Sequence, residues 1–189
     1  MKSAESILLP LQVEQLEHDR LAHSDILNLD TQTRLKHMAL HFLKYAGKIV
    51  CAKESEDQAA LSAVVADTLI ICLATANALN VSVGATLDLR ADSLPDLCAR
   101  LGTSSTKLNV FDAALIDLLK IGGGMAKAIE STDHLERGNP REFLESAIVD
   151  LTFAMLAVAG RLHLKLPDTI RVRWRNVESK SIFRRTPKP

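Results

Sequence analysis

Apolar residues recur at helical spacing along most of the chain, and this periodicity predicts its elements. Leu11, Leu16, Leu21, Ile26 and Leu29 mark a loosely amphipathic helix over residues 11–29. Leu35, Met38, Ala39, Phe42, Ala46 and Ile49 form the apolar face of a helix over 32–54. Ser55 with Gln58 three residues on reads as a capping box opening a helix over 56–79. Asn80 and Gly84 close or bend the chain, and a short helix is predicted over 84–92. Ser93-Leu94-Pro95-Asp96 starts a further helical turn that Gly102 ends. Residues 103–107 read as a linker. Beyond it come a helix over 108–131 and a polar loop from His134 to Asn139. Asn139 as N-cap, Pro140 in the first turn and Glu142 behind them open a helix to about Leu162. Pro167 opens the last one, to about Lys180.

Composition agrees with an all-α bundle. No Pro lies between Pro10 and Pro95, whereas a sandwich or barrel needs turn residues every 8–12 positions. Lys+Arg and Asp+Glu are both 23, so no global field draws in nucleic acid or anionic lipid. One Trp, one Tyr and five Phe are too few for a base-stacking platform. Charge is uneven, however. Acidic side chains dominate residues 1–30, while Arg171, Arg173, Arg175, Lys180, Arg184, Arg185 and Lys188 face only Glu178 at the other end. Cys51, Cys72 and Cys98 show no CxxC spacing and read as reduced thiols of a cytoplasmic protein. No basic segment precedes an apolar core at the N-terminus, so a secretory leader is not expected. Residues 59–81 and 147–166 are long and apolar, but each carries an Asp. At a bilayer centre such a charge costs about 2.5–3.5 kcal/mol even on lenient scales. Both therefore read as core helices, not membrane spans.

The chain repeats itself. Leu43–Ile49 aligns with Leu119–Met125, Asp67 with Asp150, and Arg90 with Arg173. The division is a 1–31 acidic N-terminal extension, repeats over 32–102 and 108–182, and a basic tail over 183–189. Two copies of one helical hairpin predict a pseudo-two-fold bundle.

Val64–Ala74 and Ala147–Ala157, each carrying a central Asp, together with the Arg173-Trp174-Arg175 ending and Lys180, resemble the all-α NTP pyrophosphohydrolases, the MazG-like and dimeric dUTPase families. That resemblance implies a Glu-x-x-Glu helix packed on a Glu-x-x-Asp helix, four carboxylates holding Mg²⁺, and release of a nucleoside monophosphate and pyrophosphate. The carboxylates are largely missing here. The first pair falls on Tyr45 and Lys48, and on Ile121 and Gly124 in the second copy. The Glu of the second motif falls on Val64 and Ala147, so only Asp67 and Asp150 remain. One acid per half makes a poor site for an ion that demands near-octahedral oxygen ligation.

The leading expectation is thus a catalytically degenerate protein that binds a nucleotide or a partner protein. Lys48, Asp67, Asp150, Arg173, Trp174 and Lys180 are its candidate ligand-binding residues, with no metal or other cofactor. The alternative is a divergent Mg²⁺-dependent pyrophosphohydrolase using Asp67 and Asp150 with acids such as Glu54, Glu56 or Glu130. A homodimer is expected because the second helices are apolar nearly all round, and the basic C-terminus suits a nucleotide or an acidic partner. Simpler roles stand beside these. Asp67 on a core face can be a paired acid, and Lys48 a solvated lysine. Gly122-Gly123-Gly124 can be a helix break or a close crossing, and His37 with His41 a surface pair. The resemblance also implies that Lys48 faces Asp67 across the former metal position.

Overall fold

The computed structural model describes residues 1–103, 107–134 and 136–180. Its helices are α1 (Ala4–Ala22), α2 (Ser24–Leu27), α3 (Thr31–Glu54), α4 (Gln58–Leu79), α5 (Leu94–Thr103), α6 (Val110–Asp133), α7 (Pro140–Arg161) and α8 (Leu166–Glu178). Two short strands, β1 (Lys2–Ser3) and β2 (Arg90–Ala91), pair antiparallel with Lys2 opposite Ala91. The fold is the all-α helical bundle that the apolar periodicity predicts.

Each long helix begins where a polar side chain can satisfy its free backbone N–H groups. Asp30, Asp57, Asn109 and Asn139 accept from Thr33, Ala60, Asp112 and Glu142 respectively. Asn139-Pro140 starts α7 as the sequence predicts. Ser55, by contrast, does not open α4. Its hydroxyl donates back to the carbonyl of Cys51 at the end of α3, Glu56 turns the chain at φ 52, and Asp57 caps.

The centre is a four-helix arrangement. α3 packs on α4, α6 on α7, α3 on α6 and α4 on α7. Gln32 reaches the carbonyl of Ile129 at one end of the α3–α6 contact and Lys53 pairs with Asp112 at the other, so these helices run antiparallel. Phe42, Ile49, Leu61, Leu69, Leu73, Leu118, Met125, Ile148, Leu151 and Met155 fill the core without exposure. Each such side chain contributes roughly 1.5–3 kcal/mol. Helices α5 and α8 cross over: α5 packs on α7 and α8 on α4. Helices α4 and α7 are long and apolar enough to cross a membrane by length and composition, yet most of each is buried inside the bundle.

Three local expectations change. Residues 84–92 form turns and β2 instead of a helix. Gln12 explains why: its amide donates to the carbonyl of Val81 and accepts from the N–H of Val83, at 2.6 and 3.2 Å, which holds this segment out against α1. A Cβ on Gly84 would stand 2.5 Å from the Cα of Glu5, so only Gly allows that approach. The first helix starts at Ala4 and buries Leu8, Leu11, Gln12, Gln15, His18 and Asp19, while Leu21 and Leu29 lie exposed. Its inner face is partly polar because those groups find partners inside. Finally, of the two roles read for the Gly122–Gly124 run, the helix break is absent and the close crossing of α6 on α3 is present. The run lies within continuous α6, with Gly122 against Phe42 and Gly124 against the Phe143 ring.

The apolar faces of α4 and α7, the basis for expecting a dimer, are consumed within the chain. Exposed apolar side chains cluster instead on α3 and α6, at Leu40, Leu43, Val50, Ile116 and Leu119. Leu40, Leu43 and Leu119 border a groove of about 220 Å³.

Candidate functional site

Most candidate residues of the first half converge. A cleft of about 390 Å³ between α1, α3, α4 and α8 is lined by Tyr45, Lys48, Asp67, Arg173, Trp174 and Lys180. His18, His23, His41, Lys44, Ile70 and Ile71 also line it. Helix α3 presents His41, Lys44, Tyr45 and Lys48 on one face, as i, i+3, i+4 and i+7 spacing requires. Helix α4 supplies Asp67, and α8 lies across the opening with Arg173 and Trp174.

Asp67 is paired by Arg173. The guanidinium donates from Nε to Oδ1 and from a terminal nitrogen to Oδ2, both at 2.6 Å. The carboxylate side chain is only 12% exposed and the arginine 36%. The carboxylate raises the Arg173 pKa through this hydrogen bond, partly opposed by desolvation. The expected Lys48–Asp67 pair is therefore overturned. Arg173 reaches with a planar two-pronged donor that matches both carboxylate oxygens, which a lysine cannot do. Lys48 is exposed, forms no ion pair among the described residues, and stands 5.7 Å from the centre of the Tyr45 ring.

Electrostatics within the cleft favour anions. Lys44, Lys48, Arg173 and Lys180 face one carboxylate. Lys44 sits 4.8 Å above the Tyr45 ring and donates to His41 Nδ1 at 2.8 Å. Burial, then the neighbouring Lys48, lower its pKa. Desolvation and then Lys44 push His41 down to about 4, so the ring is neutral near pH 7. With Nδ1 accepting, Nε2 carries the proton toward His37 Nε2, 3.1 Å away. The two histidines thus form a half-buried, mutually bonded pair, which corrects the expectation of a surface pair. Burial and the nearby Asp67 raise the Tyr45 phenol further above its usual value, so it stays protonated.

This donor set does not fit the Mg²⁺ that the resemblance implies. Tyr45, Lys48 and Val64 bring no carboxylate, and both oxygens of Asp67 are engaged by Arg173. The acids named for the alternative do not line the cleft: Glu54 and Glu56 are exposed, and Glu130 pairs with Lys127.

Among the described residues, the second half assembles no equivalent. Asp150 is exposed and has no ion pair among the described residues, and Ala147 is buried like Val64. Ile121 is half-buried, and a Cβ on Gly124 would meet the Phe143 ring at 2.8 Å. Arg184, Arg185 and Lys188 of the basic tail, like part of the 103–107 linker, lie outside the described residues. His41 and Lys44 were absent from the candidates, although their spacing with Lys48 on one helical face was a readable signal. The buried Cys72 and Cys98 thiols are pushed up to about 12 by desolvation and are inert at neutral pH. Comparisons with protein-family models, with curated proteins and with solved structures find no match for this chain.

Proposed function

We propose that this chain is a catalytically degenerate form of the MazG-like, all-α NTP pyrophosphohydrolase fold that binds a phosphate-bearing ligand, a nucleotide, without a divalent metal. The observation that carries this reading is the Asp67–Arg173 pair. It neutralises, with a fixed cation, the acid that the resemblance assigns to Mg²⁺, and leaves Lys44, Lys48 and Lys180 around the same cleft. Phosphate oxygens can then meet ammonium groups directly. The setting expected for such a protein is the cytoplasm.

Calorimetric titration with ATP, dATP and pyrophosphate in EDTA tests it. The expected result is metal-independent binding that Lys48→Glu weakens at least tenfold. No binding by any of the three overturns the reading. Mg²⁺-dependent release of pyrophosphate that Asp67→Ala abolishes would replace it with the divergent pyrophosphohydrolase. A homodimer is proposed through the α3–α6 groove, where exposed leucines of two copies would cover each other. Sedimentation should then show a dimer at micromolar concentration that Leu43→Glu converts to monomer.

A further inference from the structure

Three of the six histidines, His23, His37 and His41, line a cavity of about 70 Å³ where α1 ends against α3, and His18 stands beside His23. Gln15, Asp19, His23, Arg34, His37 and His41 supply its polar lining. One ligand atom from each of His18, Asp19 and His23 lies within 4.8 Å of the other two. In a continuous helix His18 and His23 would point about 140° apart. The helix stops at Ala22, however, and His23 takes φ −135 and ψ 38. That departure lets its ring return to the His18 ring, 5.6 Å between centroids.

Both buried members of the trio are already oriented by other side chains. His18 Nδ1 lies 3.1 Å from Glu178 Oε1. A donor there leaves Nε2 as the free lone pair, and the ring is stacked on Trp174 at 22°. Asp19 Oδ1 accepts from Gln15 Nε2 at 2.8 Å. Gln15 is itself fixed by Trp174, whose Nε1 donates to Oε1 at 2.8 Å. A carboxylate behind a ligating imidazole, and an amide behind a ligating carboxylate, are the outer partners that metal ligands commonly have. Arg34 Nε, at the same cavity, is out of solvent with no hydrogen-bond partner among the described residues. A water or small anion completing a metal's coordination would give it an acceptor.

We propose that His18 Nε2, Asp19 and His23 bind a borderline divalent transition ion of the Zn²⁺ or Co²⁺ class, with a solvent-derived fourth ligand in the adjoining cavity. Two imidazoles and one carboxylate suit such ions and disfavour Mg²⁺. Ligand atoms around a tetrahedral Zn²⁺ at about 2.0–2.1 Å stand about 3.4 Å apart. Closure needs little movement, and His23, outside the helix, can supply it. Glu178 acts as a positioning residue through His18.

The experiment is Zn²⁺ and Co²⁺ titration of the full chain carrying Cys51→Ser, which removes the one exposed thiol. One equivalent should bind, raise the Tm and, for Co²⁺, give the intense visible bands of tetrahedral coordination. His23→Gln, at a half-buried position, should lower affinity at least tenfold while circular dichroism stays unchanged. Glu178→Gln should lower it about 10–100-fold and shift the Co²⁺ bands. The double variant His134→Gln/His163→Gln, at exposed histidines elsewhere, should bind as the parent does. The proposal is overturned by absence of binding at 100 µM ion, by equal binding of Mg²⁺, or by His23→Gln binding like the parent. Equal loss in the double variant overturns it as well.

Discussion

Asp67 and Asp150 occupy aligned positions on two apolar helices of equal length, yet only Asp67 has become part of a site. The difference lies in what covers each helix. Against α4 lies α8, which brings Arg173 to Asp67 and Trp174 to the wall of a cleft. Against α7 lies α5, packed so closely that a Cβ on Gly160 would sit 1.9 Å from the carbonyl oxygen of Cys98. Arg90, aligned with Arg173, is held on β2 beside Ser3. Two similar hairpins thus serve different ends. One keeps a polar opening, and the other closes by packing.

The largest way to break this contrast is to force the closed side open. Gly160→Val puts a branched side chain into the Cys98 backbone, which cannot yield as a flexible side chain could. The expected loss is about 3 kcal/mol, at the upper end of ordinary overpacking. Denaturant midpoints would measure it. A loss under about 1 kcal/mol would mean that α5 moves away easily and that the closure of this half is not rigid.

Next in size is the ion pair of the open side. Arg173→Met leaves the carboxylate of Asp67 largely buried and uncompensated. Removing one member of a fully buried pair costs roughly 3–5 kcal/mol, and the partly exposed arginine reduces the expected loss to about 2–3 kcal/mol. Arg90→Met, at the aligned position, should change stability by less than about 0.5 kcal/mol. Arg173→Met with Asp67→Leu should recover most of the loss. Equal effects at Arg90 and Arg173 would erase the contrast.

How much of this was legible in the sequence depends on the kind of residue. Apolar periodicity located every long helix, because core side chains face one way whatever their partners are. Asn139-Pro140 located a helix start, because that signal acts within four residues. Pairings across the fold were hidden. Nothing local distinguishes Arg173 from Arg175 as the partner of Asp67. That choice follows from how α8 crosses α4. The inner face of α1 was hidden for a related reason. Nothing local marks Gln12, Gln15, His18 and Asp19 as inward-facing, and they are buried because Val81, Trp174 and Glu178 meet them from distant segments. Ser55 shows the opposite failure, a capping signal outcompeted by Asp57 two residues on.

A pH-dependent difference should separate the halves next. His41 is held down to about 4 by desolvation first and by Lys44 second, while an unfolded imidazole titrates near 6.5. Between these values the unfolded chain binds more protons, so stability falls as pH drops from about 6.5 to about 4 and is fully present above that window. Urea midpoints at pH 7 and pH 5 should show the fall, and His41→Gln should flatten it. The aligned position in the second half is Asp117, which is not a histidine. An unchanged slope in His41→Gln would show that His41 is not the group responsible.

The smallest effect concerns Gly47 and Gly123, aligned positions inside α3 and α6. A Cβ at either would meet nothing within 4 Å. Replacing a helix-interior Gly by Ala removes backbone freedom from the unfolded chain, with a gain of roughly 0.5–1 kcal/mol. Gly47→Ala and Gly123→Ala should each raise stability by that amount and by nearly the same amount, because both face open space. Gly122→Ala offers the control, since its Cβ would press on the Cβ of Phe42 at 3.4 Å and should gain less. If Gly123→Ala instead destabilises while Gly47→Ala stabilises, the halves differ along α3 and α6 too. The surface around Gly123 is then covered in solution, as a second copy seated in the α3–α6 groove would cover it.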